Sequence, residues 1–433
     1  MSTKSFIGAD AILAKKKQYI MPCLGHFYQK PMQLVKGSMQ YLYDSEGRKY
    51  LDCFAGVSVM NCGHANPEII DALKAQIDEL QHVCNIYLTE DFVNLAERLA
   101  KVTPGDLQKT FFCSTGTEAN EGALLLASIA TGRDEYIALT GGLSGRTKLT
   151  MSLTGISMWR TDPHPVGGIH FAPHPYCYRC PLKKKPATCD LACADMVEHT
   201  IAYSTTGRPA AMIAESIQGN AGIIIPPKGY FRRVSEILKA HDALLIADEV
   251  QTGFARTGRM FAIEHSGIAP DIMTMAKALG NGQPISAFIA TAKVADTYTK
   301  PGASTLGGNP VSSTAGLAVL NYIEKHNLIQ HAQERGAQLK AGLLELQKKH
   351  RTIGDVRGLG LMVGAELIKD AKKTPYPEAV DTILEDLKDR GFIVGKNGLA
   401  RNVIAFQPPL VITESDISHV LNALDDVMTA HGY

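Results

Sequence analysis

An α/β fold is what this sequence predicts: a large domain with a mostly parallel sheet sandwiched by helices, plus a smaller α+β domain. Three observations carry it. Short runs apolar on both faces recur at 136–139, 211–215, 244–248, 272–275 and 286–290. Strands read this way when both faces of their sheet are covered. Helical or long connections separate the runs, as parallel neighbours require. From about Gly308 the texture changes to long amphipathic helices at 312–325, 328–349, 376–390 and 414–430, with short strands near 353–367 and 402–406.

Taken in order, residues 1–40 read as an arm with little regular periodicity. Tyr41 to Asp52 reads as a hairpin around Asp44-Ser45-Glu46-Gly47. Apolar spacing predicts helices over 67–82 and 90–102. Thr110 to Cys113 is a short buried strand; Ser114 to Thr117 turns into a helix over 118–130. The expected units are an arm and hairpin, 1–60, packed with the small domain; the large domain, 61–310; and the small domain, 311–433.

The 433 residues suffice for two domains and a large core. A net charge of +1 gives no reason to expect nucleic acid or an anionic membrane as a partner. No apolar stretch is long enough to span a bilayer, and residues 1–20 lack a secretory pattern. Nine cysteines, an odd number in a large chain, suit a reducing cytoplasm.

Ligands of an open parallel sheet sit at the carboxyl ends of its strands. There the turn Ser114-Thr115-Gly116-Thr117 opens a helix, whose free amides suit an anion. Asp248 ends one buried strand, with Gln251 just beyond it, and Lys277 follows the next. Singly these are bland: a helix cap, a buried acid, a loop residue, a snorkelling lysine. Together, in chain order, they point to pyridoxal 5'-phosphate. The lysine amine can condense with its aldehyde, and the carboxylate can keep its pyridine nitrogen protonated.

Four cysteines cluster as Cys177-x-x-Cys180 and Cys189-x-x-x-Cys193. Thiolates so spaced can close a tetrahedral zinc site, and structural zinc is the expectation. An iron–sulfur cluster, a labile disulfide or free thiols are the alternatives. The segment 173–194 is otherwise a long loop without a staple.

Further stretches carry a resemblance: Asn61-Cys62-Gly63-His64, Thr115 to Glu121, Ala214 to Gly219, Asp248 to Gly253, Lys277, Gly307-Gly308-Asn309-Pro310 and Gly354 to Gly358. They span nearly the whole chain. It resembles the class III, fold type I, pyridoxal-phosphate aminotransferases, and among them the 4-aminobutyrate and alanine–glyoxylate types. The resemblance implies that Gly116 and Thr117 bind phosphate and that Glu215 lies near the ring. It implies that Asp248 pairs with the pyridinium, Gln251 meets the phenolic oxygen, and Leu143 and Val250 contact the cofactor. Val57 would border the substrate. Thr305 would reach the cofactor phosphate of the other subunit in a homodimer with shared sites.

Leu143, Ser144, Ala405 and Asn220 depart from the family pattern. Leu143-Ser144 stands where an aromatic residue and His are common, which removes a stacking contribution of about 0.5–1.5 kcal/mol. Arg146 is kept, and its guanidinium suits a carboxylate or sulfonate remote from the reacting amine; a structural ion pair is the alternative. Ala405 replaces the arginine that takes an α-carboxylate, and Asn220 stands where a masking glutamate is usual. Arg401, Arg160 or a backbone site would then have to hold a 2-oxo acid.

Transamination is the leading expectation. The donor would be an ω-amino acid such as 4-aminobutyrate or β-alanine, a sulfonate analogue, or alanine; the acceptor would be 2-oxoglutarate, pyruvate or glyoxylate. A racemase or epimerase, or a decarboxylating transaminase, needs the same lysine and aspartate. A non-catalytic relative is the third reading, motivated by the substitutions at Leu143, Ser144, Ser216, Ala255 and Ala405.

Overall fold

The computed structural model describes residues 5–433. The arm is more regular than its sequence suggests. It holds a helix, Ala9–Tyr19, which buries no residue. Ala, Leu and Lys favour helix locally, while the missing apolar stripe hides it from periodicity. A strand follows, β1 (Leu34–Ser38), and pairs antiparallel with β2 (Tyr41–Asp44) of the hairpin, whose return is β3 (Lys49–Asp52).

The main sheet has seven strands: β4 (Leu107–Cys113), β5 (Tyr136–Leu139), β6 (Ile169–Ala172), β7 (Ala211–Glu215), β8 (Leu244–Asp248), β9 (Ile272–Met275) and β10 (Ser286–Thr291). Their spatial order is β4-β10-β9-β8-β7-β5-β6. β10 runs antiparallel to both β4 and β9, and the other pairs are parallel. Edge strand β6 escapes a search for buried runs because three of its four residues are only partly buried. Side chains such as Ile137, Met212 and Ile246 are fully buried in this sheet, so both of its faces are covered.

C-terminal strands β11 (Ile353–Leu359), β12 (Met362–Leu367), β13 (Phe392–Ile393), β14 (Gly395–Asn397) and β15 (Val403–Phe406) complete the set. β11-β12-β15-β14 form a second sheet, and β13 joins β3. Glu385 accepts the amides of Gln29 and Lys30, and Asp416 accepts from Gln40 and Tyr41. These bonds tie the arm and hairpin to the C-terminal helices.

The segment 173–194 is held by side chains. Tyr176 and Arg179 both donate to Glu366, which also pairs with Arg357 at 2.9 Å, and Lys373 donates to the Tyr178 carbonyl at 2.9 Å. The expected zinc staple is therefore corrected. The four cysteines border one cavity of about 20 Å³. Yet among the described residues no group of three or more His, Cys, Asp or Glu is disposed to hold a metal ion. Cys193 is drawn into the apolar core by the helix Ala192–Ser204, and the Cys189 thiol faces the Pro186 carbonyl.

Candidate active site

Strand ends β4, β7, β8 and β9 converge on a pocket of about 480 Å³. After β4 the chain enters the helix Gly116–Thr131 through a capping box: Glu118 accepts the amides of Ser114 and Thr115, and Thr115 Oγ1 accepts the Glu118 amide at 3.2 Å. The Gly116 and Thr117 amides donate to no acceptor among the described residues and face the pocket. They are donors that a helix N-terminus offers an anion. A Cβ at Gly116 would lie 2.8 Å from Val250 Cγ1, so any other residue there would make its neighbours shift.

Asp248 ends β8 and is buried. Its Oδ2 accepts from Asn120 Nδ2 at 2.8 Å and its Oδ1 from the Val250 amide at 3.0 Å. Burial pushes its carboxyl up, against those two bonds. Asn120 is itself fixed, accepting from Thr274 at 2.6 Å and donating to the Ser144 carbonyl at 2.7 Å. It lies within the stretch Thr115 to Glu121, whose sequence alone gives it no role. The available signal is its place one turn after Gly116, which turns it toward the sheet.

Lys277 follows β9 with φ 50°, a strained value for a non-glycine residue. Burial pushes its amine below the ordinary lysine range, although Asp248 and Glu215 act in the other direction. More of the amine is thus the neutral, nucleophilic form. Glu215 ends β7 and accepts the amides of Leu143 and Gly219, each at 2.9 Å. Burial first, then the charge of Asp248, pushes it up to about 8. The next acid, Glu249, is spent on structure: it accepts from Ser216, Thr252 and the amides of Ala262 and Ile263.

The remaining wall brings together Val57, Leu143, Arg146, Val250 and Gln251 with Trp159 and Asn220. Gly219 leaves room for Gln251, whose Oε1 a Cβ would overlap. Val57 lies in a left-handed turn, 55–58, in which Ala55, Val57 and Ser58 all have φ of 50–68°. Such strain in a β-branched residue marks positions held by their surroundings. Thr305 is exposed and does not border its own chain's pocket. Arg401 lies over Phe27 at 5.7 Å and Arg160 over Phe171 at 5.3 Å, and neither borders the pocket within its own chain. Ala405 is fully buried in an apolar cluster with Phe54, Ile217, Ile223, Ala262 and Met362. Trp159 gave no signal in sequence beyond being the sole tryptophan.

A buried amine pushed below the ordinary lysine range, a fixed buried carboxylate and a helix N-terminus around one cavity fit pyridoxal phosphate: anchor, ring-nitrogen partner and phosphate cradle. The family description "Aminotransferase class-III" matches residues 26–428. The chain is 42% identical to alanine–glyoxylate aminotransferase 2 homolog 2, mitochondrial, of Arabidopsis thaliana, covering 97% of this chain and 88% of that protein. It is 37% identical to the leucine/methionine racemase of Thermococcus litoralis, over 94% and 92%. It is likewise 37% identical to the 5-aminovalerate aminotransferase of Pseudomonas aeruginosa, over 95% and 96%. An amine transaminase structure from an uncultivated Pseudomonas species, in the PLP-bound form, superposes with a TM-score of 0.89 at 29% identity, over 95% and 98%.

Proposed function

The chain belongs to the class-III aminotransferases, and from that premise we propose that its amino donor carries an acid group remote from the reacting amine. Pyridoxal-phosphate-dependent transamination from an amino donor to a 2-oxo acid is the family's chemistry. Arg146 carries the reading of the donor. It borders the pocket and, among the described residues, is paired with no acid. A free guanidinium there suits 4-aminobutyrate, β-alanine or a sulfonate analogue, and one relative is named for 5-aminovalerate.

When bound, pyridoxal phosphate supplies an aldehyde that takes up amines and a ring that accepts the electrons left at Cα. Gly116 and Thr117 would hold its phosphate through their free amides. Asp248, oriented by Asn120, would keep the ring nitrogen protonated. Gln251 would meet the phenolic oxygen, Leu143 and Val250 would pack on the ring, and Glu215 fixes the neighbouring loops through the Leu143 and Gly219 amides. Lys277 would anchor the group through its amine and is the base placed to move a proton at the substrate Cα. Val57 borders the substrate.

In this reading residues 61–310 carry the cofactor, and 1–60 pack with 311–433. The enzyme is a cytoplasmic homodimer, in which Thr305 reaches the partner's phosphate. Exposed Ile86, Tyr87, Leu88 and Leu306 favour such an interface, and nine free cysteines favour a reducing compartment.

A donor panel scored by bleaching of the cofactor's visible absorption tests the reading. Arg146→Ala should raise KM for acidic donors about tenfold or more, and far more than for neutral amines. Equal loss for both classes would make Arg146 structural. The racemase reading has one observation in its favour: with Ala405 buried among apolar side chains, no arginine grips an α-carboxylate there. Racemisation of a single-enantiomer amino acid without any keto acid would establish it.

A further inference from the structure

Ala405 lies among apolar side chains, and neither Arg160 nor Arg401 borders the pocket, so no guanidinium faces an acceptor's carboxylate on that side. Asn220 is a polar group that does border the pocket there. It follows β7 in a loop fixed from the small domain: Asn397 Nδ2 donates to the Gly219 carbonyl, and the Gly398 amide donates to the Asn220 carbonyl, both at 3.0 Å. Across the pocket wall, Trp159 Nε1 donates to Asn220 Oδ1 at 3.0 Å. Both side chains border the pocket that holds Lys277.

An indole N–H only donates. The carboxamide must therefore turn its oxygen to Trp159, which settles an orientation that a side-chain amide otherwise leaves ambiguous. Its NH₂ is then left over, and among the described residues it donates to no protein acceptor. Nor is it buried without a partner. It is a free, oriented donor on the pocket that Lys277 also lines.

We propose that Asn220 binds the carboxylate of the 2-oxo acid through this NH₂, with Trp159 as the positioning residue that holds the amide in that sense. A neutral donor holds the acid less tightly than a guanidinium would. It also imposes no unpaired buried charge when a substrate without that carboxylate occupies the pocket. The inference rests on the aminotransferase reading for its substrate, but its test does not need turnover.

The holoenzyme is titrated with propionate, an unreactive carboxylate, and binding is read from the fluorescence of Trp159, the sole tryptophan. Asn220→Leu should weaken propionate about tenfold, the worth of one hydrogen bond to a charged group, and Asn220→Asp, which adds repulsion, by more. Trp159→Phe, read through cofactor absorbance, should weaken it about threefold and raise KM for pyruvate more than it lowers kcat, because a freed amide spends part of its time reversed. Propionate affinity unchanged in both Asn220 variants would overturn the assignment while transamination stood. Absent transamination with Asn220-dependent propionate binding would overturn the proposed reaction and support the assignment.

Discussion

Two of this molecule's clusters of buried charge are built on opposite terms. One is Lys277, Asp248 and Glu215 at the ends of the central strands. The other is Glu366, Arg357, Arg179 and Asp355, where the segment 173–194 meets the second sheet. In the second cluster Glu366 accepts from Tyr176, Arg179 and Arg357, and Arg357 also binds Asp355 and two backbone carbonyls. Its charges are matched within the chain. In the first, the lysine is pushed down and both acids are pushed up by burial. Burial of charge does not mark a reactive site. Charge left short of partners around an open cavity does.

The sharpest way to break the comparison is to remove one member from each cluster. Lys277→Ala should cut transamination by more than roughly a thousandfold, as removal of a covalent anchor and proton carrier does, and leave folding intact. Substantial turnover in that protein would end the mechanism. Glu366→Ala should do the reverse. Stripping the shared acid from buried guanidinium groups costs about 3–5 kcal/mol, visible as a lower Tm. Turnover per folded holoenzyme should stay within about twofold, since a residue outside the machinery acts through stability. A catalytic defect at unaltered Tm would merge the two clusters into one functional unit.

Much of this was legible because parallel strands buried on both faces spell out their own ends. The runs at 211–215, 244–248 and 272–275 are strands over those residues, and their neighbouring ends bring Asp248 and Lys277 to one pocket. What stayed hidden lies where neither period nor propensity speaks. The helix Ala9–Tyr19 has no buried stripe to reveal it. The left-handed turn at 55–58 is imposed by its surroundings against local preference. Asn120 and Trp159 act through side-chain hydrogen bonds to residues far along the chain. The cysteine spacing suggested a metal because spacing cannot show that Glu366, far away in sequence, already anchors that loop.

The smallest expected effect separates the clusters by the sign of a pH slope. In the cofactor-free protein Glu215 is pushed up to about 8 from an ordinary 4.5, so the folded chain keeps a proton that the unfolded chain releases. Stability from this group is full below the unfolded value and is lost as pH rises through the folded one. Glu366 runs the other way. Burial opposes its ionised form, but Arg357, Tyr176 and Arg179 outweigh burial and hold its carboxyl below the ordinary range. Its contribution is present above the unfolded value and is lost as pH falls through the folded one. Urea unfolding of the cofactor-free protein across pH should therefore show opposed changes. Glu215→Gln should flatten the decline between about pH 5 and 8 by at least about 1 kcal/mol. Glu366→Gln should remove stability most where the acid is ionised, and least at the acid end. Identical slopes in wild type and Glu215→Gln would mean that the Leu143 and Gly219 amides keep Glu215 ionised, and that the open cluster is as well matched as the closed one.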